Sequence, residues 1–468
     1  MNTTISTLSS SLMASILLVG CATVGPDYQA PSMETTASAT SEPLRLETKV
    51  AQQWWLQFND QSLNALIAIA DRHNPSIAIA KANIAKAYAI FDDIEDNDWP
   101  SIGTSATYNA QRQVVPSAQN THERMTLRSR QLGLTADWEL DIVGKFERAE
   151  QAAIADAEAA YYAWQDARLA LLANIANTYV QYRGLQAQLA VAKDTLDSLL
   201  RTESIVHSQV QAGFATELDE LRIKSQIASV KADIPSISAS TEAARQMLIA
   251  FAGGTQTLIG FDWESQQIPT LAAPVPLHHS KGFLKQRPDV QAAERRLAAS
   301  SANIGVVSAD LYPSISLSGF LGFFSTQGKI LSSNAKAWSI APEVSWQAFD
   351  LDSVRARIRA ADADHQANFA RFEQTVISAI AETKTALSNY TQLQHRVNAL
   401  IEEESANKKA LSLAQYQYEN GSIDLLGLLD VERQWLASRQ RQVDARTQMT
   451  NSLITIYTAL GGGLLMES

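Results

Sequence analysis

A single cysteine, Cys21, occurs in the 468 residues, which excludes an internal disulfide framework and any thiolate-based metal cluster within the chain. Basic residues are in deficit: 38 Lys and Arg stand against 49 Asp and Glu, a formal charge of −11. A chain of that sign does not wrap nucleic acid, whose phosphates need cations to neutralise them. No stretch reaches the roughly 18 to 20 consecutive apolar residues of a membrane-spanning helix. That absence leaves a β-barrel open, because barrel strands are short and alternate. Neither G-x-x-x-x-G-K-[ST] nor H-E-x-x-H occurs, so nucleotide-driven transport and zinc proteolysis lack their signatures. His278-His279 stands in a proline-containing linker with no third ligand in register, and the other five histidines are scattered. No catalytic or metal-binding role is assigned, no cofactor is expected, and energy for any transport must come from a partner.

What is present begins with a destination. The apolar stretch from Leu12 to Gly20 is too short to cross a bilayer but suits the core of a signal peptide. Leu18-Val19-Gly20-Cys21 resembles the bacterial lipoprotein processing box, in which small residues precede a cysteine that is acylated. The resemblance implies that residues 1–20 are a signal peptide and that Cys21 carries a covalent N-terminal lipid. Such an anchor holds a protein to one leaflet. Ala22 follows, not the inner-membrane retention Asp, which favours the outer membrane. Residues 21–50 form a polar tail with too little apolar surface to fold alone.

The rest of the chain reads twice. In residues 51–255, apolar positions at helical spacing (Trp55, Phe58, Leu63, Leu66, Ile67, Ala70) lead to a break at Asn74-Pro75 and a second helix. A β-hairpin over 99–141 follows, with Ile102, Thr104, Ala106 and Tyr108 alternating, then Leu132, Leu134, Ala136 and Trp138. A proline-free run from Gly144 to about Gln211 predicts one helix about 100 Å long. It reverses at Gly213-Phe214 into a helix reaching 252, where Pro235 is expected to kink or break it. After a linker at 256–285, residues 286–463 repeat the order: helix, hairpin over 312–350, and helical hairpin over 352–460. Tyr312-Pro313-Ser314-Ile315 matches Trp99-Pro100-Ser101-Ile102, and Gly421 follows Gly213 by 208 residues. Strands of 10 to 13 residues with one apolar side fit a membrane wall. Four strands cannot close a barrel, whereas three chains give twelve and leave no edge.

Several segments in order carry a family resemblance. They are Cys21 with Gly25-Pro26-Asp27-Tyr28, Trp54-Trp55, Trp138-Glu139-Leu140-Asp141 and Arg287-Pro288-Asp289-Val290. Tyr312-Pro313-Ser314-Ile315-Ser316-Leu317, the Tyr416 to Asp430 segment and Ala459-Leu460-Gly461-Gly462-Gly463 complete the set. Together they resemble the outer-membrane factor family, the TolC/NodT-like efflux lipoproteins. The fold this implies is a mixed α/β membrane protein, mostly long α-helices forming a periplasmic tunnel below a trimeric 12-stranded barrel with four strands per chain. The implied function is a passive exit duct of a tripartite efflux system for drugs or other small molecules. Its implied partners are two further copies, a periplasmic adaptor, an inner-membrane RND-type pump and outer-membrane lipid. A protein-secretion duct and a non-channel structural lipoprotein are the alternatives. Where the family has Asp-x-Gly after the fourth strand, this chain has Asp350-Leu351-Asp352, so that turn should differ.

The resemblance places the tip turns Gly213, Phe214, Gly421 and Ser422 against the adaptor. Tyr416, Tyr418, Glu419 and Asp424 are candidates for a latch, with Asp219 and Glu220 on the other tip. Pro100, Asp141, Arg287, Pro288, Asp289, Pro313 and Asp350 are read as structural, Asp289 capping a helix and Arg287 pairing across the repeat. Trp99, Tyr108, Trp338 and Trp346 are read either as an interfacial aromatic belt or as core packing.

Overall fold

The computed structural model describes residues 23–31, 53–116, 122–264, 267–270, 283–326 and 329–462. Cys21, the tail beyond residue 31 and His278-His279 lie outside them. Seven α-helices among the described residues are α1 (Gln61–His73), α2 (Pro75–Glu95), α3 (Lys145–Gln211), α4 (Glu217–Phe251), α5 (Pro288–Ser308), α6 (Leu351–Glu419) and α7 (Leu425–Ala459). Four strands, β1 (Ser101–Pro116), β2 (His122–Leu140), β3 (Ser314–Ser325) and β4 (Lys336–Ser345), form one antiparallel sheet in the order β1-β2-β3-β4. No helix among the described residues is long and apolar enough to cross a membrane.

Contacts divide the chain into two compact units. One draws on Met1–Pro31, Asn83–Ala160 and Ala292–Glu373; the other on Ser32–Ala82, Tyr161–Gln291 and Gln374–Ser468. The second unit holds the main apolar core. There Asp60 Oδ1 caps α1 by accepting from the Leu63 amide at 2.9 Å, and Leu63, Leu66, Ile67 and Ala70 are buried along one face. Trp54, fully buried, stacks on Tyr457 with centroids 5.4 Å apart and planes 13° from parallel. In the first unit the chain from Thr23 is lashed to α3 by one guanidinium. Arg148 donates Nε to the Val24 carbonyl at 3.0 Å and Nη2 to Asp27 Oδ1 at 2.7 Å. Tyr28 adds a hydroxyl bond to Glu294 Oε1 at 2.6 Å, and burial beside that carboxylate holds its phenol protonated well above the ordinary tyrosine range. Arg148→Ala is expected to release residues 23–31, seen as faster limited proteolysis there with the helical circular dichroism unchanged. Unchanged cleavage would show that other contacts hold the segment.

The long helices follow from composition. Proline is absent from α3 and α6, of 67 and 69 residues, and small alanines alternate with larger apolar residues along their buried stripes. The expected break at Pro235 does not occur, because α4 runs as one helix through it. Pro235 is exposed, as is Lys231 one turn earlier. The carbonyl deprived of its amide partner is thus open to water, and the helix continues.

Two strands are longer than the expected 10 to 13 residues: β1 has 16 and β2 has 19. A hairpin continues to satisfy its own backbone beyond an apolar band, so the ladder need not stop where the band does. The turn into α6 differs from the turn into α3. Asp141 accepts from the amides of Lys145 at 2.7 Å, Phe146 at 2.8 Å and Glu147 at 3.2 Å, capping α3 four residues on. At Asp350 the helix starts at the next residue, and the Asp350 backbone carbonyl accepts from the Ser353 amide at 3.2 Å.

Candidate functional site

Strand register puts the alternating residues of all four strands on one face. Thr104, Leu134, Leu321 and Trp338 lie in one row; Ile102, Ala136, Gly319 and Ile340 in the next. Trp138 with Leu317 and Pro342, then Leu140 with Ile315 and Val344, extend the same face. Pro342, which lacks an amide donor, sits where a strand tolerates it, on the edge strand β4. The opposite face carries Ser101, Asp137, Ser318 and Ala341, then Gly103, Thr135, Phe320 and Ser339. Burial inside the chain does not explain the apolar face. Ile102, Leu321, Trp338, Ile340 and Val344 are each at least 65% exposed. Contiguous apolar surface of this kind marks a protein or membrane contact.

The indoles at the foot of the sheet are anchored in parallel ways. Trp138 Nε1 donates to the Asp98 carbonyl at 3.1 Å, and Trp346 Nε1 to the Leu311 carbonyl at 3.0 Å. Each thus ties a strand end to the turn just before Pro100 or Pro313. Trp346 lies one residue past β4, which ends at Ser345. Trp99, Tyr108, Trp338 and Trp346 are all more than half exposed, which removes the core-packing reading for the single chain.

The two helical reversals share one construction. Gly213 has φ +82° and Gly421 φ +70°, the left-handed region open to glycine without a Cβ penalty. The Phe214 amide donates to the Gln209 carbonyl and the Ser422 amide to the Gln417 carbonyl, both at 2.8 Å, closing the carbonyl ends of α3 and α6. Each following helix is then capped: Thr216 and Asp219 form a reciprocal capping box for α4, and Asp424 Oδ1 accepts from the Gly427 amide at 2.9 Å for α7. Hydrogen bonds from Thr216 hold the Asp219 carboxyl below its ordinary value. Between the reversals, Tyr418 donates its hydroxyl to Gln209 Oε1 at 2.7 Å, joining the end of α6 to the end of α3. Burial raises that phenol's pKa, so it stays a donor at neutral pH.

The family model described as outer membrane efflux protein matches residues 66–254 and 281–462. The chain belongs to the outer membrane efflux protein family. Its function is accordingly that of an outer-membrane efflux protein. The outer membrane protein OprJ of Pseudomonas aeruginosa is 28% identical over 455 residues, covering 96% of this chain and 94% of OprJ. The solvent efflux pump outer membrane protein SrpC of Pseudomonas putida is 26% identical, covering 97% of each. Among solved structures, the outer-membrane channel OprN superposes with a TM-score of 0.87 at 35% identity, covering 94% of this chain and 99% of OprN.

Within that family fold the predicted site residues separate. Gly213, Phe214, Gly421 and Ser422 form the exposed turns, with Phe214 at 86% exposure. Of the latch candidates, Tyr416 and Glu419 are exposed, Tyr418 is engaged with Gln209, and Asp424 caps α7. Glu220 accepts from Lys224 at 2.5 Å and meets His207 Nδ1 at 3.1 Å. Pro100 precedes β1, Pro288 opens α5 and Pro313 precedes β3. Arg287 is buried and donates to both Asp289 oxygens, to Glu382 and to the Ala459 carbonyl. Among the described residues no group of three or more His, Cys, Asp or Glu is arranged to hold a metal ion.

Sequence reasoning missed Gln209, although its counterpart 208 residues on, Gln417, adjoins the named Tyr416 and Tyr418. It also missed Glu432, which is 3% exposed and accepts from Ser198 Oγ at 2.7 Å. Burial raises the Glu432 carboxyl, outweighing Ser198 and Arg201. A carboxyl raised in the fold stabilises it fully below the ordinary glutamate value of 4.5 and loses that contribution as pH rises through the raised value. Glu432→Gln is therefore expected to raise the unfolding midpoint at neutral pH and to leave it unchanged below about pH 4. Equal midpoints at both pH values would contradict the assignment.

Proposed function

We propose that three copies of this chain close their sheets into a twelve-stranded barrel and form the passive exit duct of a tripartite efflux system. The observation that carries this is the continuous exposed apolar face of a four-stranded sheet whose edge strands, β1 and β4, have no further partner strand among the described residues. In a bilayer open edges are excluded, so closure across copies satisfies backbone and apolar face together. The face bearing Ser101, Asp137, Ser318 and Ser339 then lines a wet lumen. The long helices continue it as a periplasmic tunnel, and the turns at Gly213 and Gly421 form its far end.

Those turns meet a periplasmic adaptor through Phe214 and Ser422, and an RND-type pump in the inner membrane supplies the energy. The Tyr418–Gln209 bond and the acidic Glu419 narrow the closed end, and passage of solutes requires it to dilate. Residues 1–20 serve as signal peptide, and a lipid on Cys21 adds an anchor. SrpC's name, a solvent efflux component, supports small-molecule cargo. Native mass spectrometry of the full chain purified in detergent tests closure. Three chains per particle is the expected result, and a monomer would contradict the barrel.

A further inference from the structure

Beyond the apolar band, the same face of the sheet changes character. The rows nearest the helices carry Leu140, Ile315 and Val344, and the band ends at Leu132 and Phe323. Cations stand at the edge of that last row and in the rows beyond it toward the hairpin ends. Lys336 pairs with Phe323, Arg130 with Tyr108, Arg128 with Ala110, and Arg112 with Thr126. All four cations share the apolar face, because they keep its parity in the register. All are exposed. The acids of the four strands keep the other parity: Asp137, Glu139 and Glu343 lie near the helices, and Glu123, paired with Val115, lies toward the hairpin end. Arg130 is steered across the face by Tyr108, its guanidinium carbon 5.9 Å from the ring centroid. The extra length of β1 and β2 is what carries Arg112 and Arg128 past the band.

We propose that this outward basic band binds the phosphate groups of the phosphorylated glycolipid in the outer leaflet. The inference rests on the sheet being a membrane-spanning wall. A cation just past the hydrocarbon band on a lipid-facing surface lies at headgroup depth, and three of the four are arginines, whose planar fork engages phosphate oxygens bidentately. Arg128 and Arg130 alternate on one strand, about 7 Å apart, so one headgroup bearing two phosphates meets two guanidinium groups at once. In a trimer the band recurs three times around the barrel, fixing its height in the membrane against slippage toward the periplasm.

The test uses the full chain in detergent, titrated with bisphosphorylated lipid A, with dephosphorylated lipid A, and with inorganic phosphate. Binding is read by native mass spectrometry. Wild-type protein is expected to hold bisphosphorylated lipid A at least about tenfold more tightly than the dephosphorylated form, and not to retain inorganic phosphate. The variant R112Q/R128Q/R130Q/K336Q is expected to lose that preference, and R112K/R128K/R130K to keep most of it. The same preparations are reconstituted in planar bilayers. A wild type that conducts but binds both lipid forms alike overturns the inference and leaves the membrane wall standing, as does an unchanged preference in the glutamine variant. Tight retention of inorganic phosphate alone overturns it in favour of a free-anion site. A wild type that neither inserts nor conducts overturns the wall, and the inference with it. The wild-type lipid comparison decides the matter even where a variant fails to assemble.

Discussion

Gly322→Val is expected to abolish assembly of the sheet, with loss of about 3 kcal/mol or more of stability. Gly133 and Gly322 face each other across β2 and β3, and the Phe320 ring lies over both. A Cβ built on Gly322 lands 2.5 Å from the Gly133 Cα and 2.9 Å from Phe320 Cζ; one built on Gly133 lands 2.5 Å from the Leu321 carbonyl oxygen. Backbone atoms cannot step aside as a flexible side-chain end can, so the strands would have to part. An aromatic ring covering a pair of glycines replaces the side-chain contacts they lack. Gly319→Ala is the control, since its Cβ meets nothing nearer than 3.8 Å. Oligomer on native mass spectrometry and strand content by circular dichroism read the result. Normal assembly of Gly322→Val would contradict this close approach, and failure of Gly319→Ala would show that any substitution in β3 is disruptive.

The second large effect is expected at Arg287. Its guanidinium donates Nε to Asp289 Oδ1 at 3.0 Å, and Nη2 to Asp289 Oδ2 and Glu382 Oε2, each at 2.8 Å. Nη1 reaches the Ala459 carbonyl at 3.0 Å, at the end of α7. One side chain therefore joins the start of α5, the middle of α6 and the last turn of α7. Arg287→Ala is expected to destabilise by about 2–4 kcal/mol, a range set lower than for a fully buried pair because Glu382 remains more than half exposed to water. Arg287→Lys keeps the charge but cannot hold three directions at once, and should recover less than half of the loss. Denaturant midpoints measure both. A midpoint for Arg287→Ala within error of wild type would make the cluster a surface ornament.

Much of this was legible because the chemistry is periodic. Residues two apart on four segments predicted four strands, and register turned the same residues into one continuous face. Proline-free runs fixed α3 and α6 to within a residue at their carboxyl ends, since Gly213 and Gly421 are local signals with a local cause. Arg287 and Asp289 were placed together because they are neighbours in sequence, but Glu382 and Ala459 were out of reach of any local pattern. The same holds for Tyr418 and Gln209, whose contact depends on how two hairpins pack. Asp424 reads as a latch candidate in the sequence because its capping of α7 depends on where that helix begins. At Pro235 only the expected break fails: a proline ends a helix less readily where the deprived carbonyl faces water. The basic band was hidden until β1 and β2 were known to extend past the apolar rows.

A conducting duct constricted at its helical tips has a direct electrical signature. Single-channel recording of the purified, detergent-solubilised protein in a planar bilayer tests it most directly, with Tyr418→Phe and Glu419→Gln recorded beside the wild type. Small, cation-leaning steps are expected from the wild type and larger steps from both variants. Absence of conductance from a correctly folded preparation would contradict the duct itself, and steps identical in all three proteins would contradict the latch.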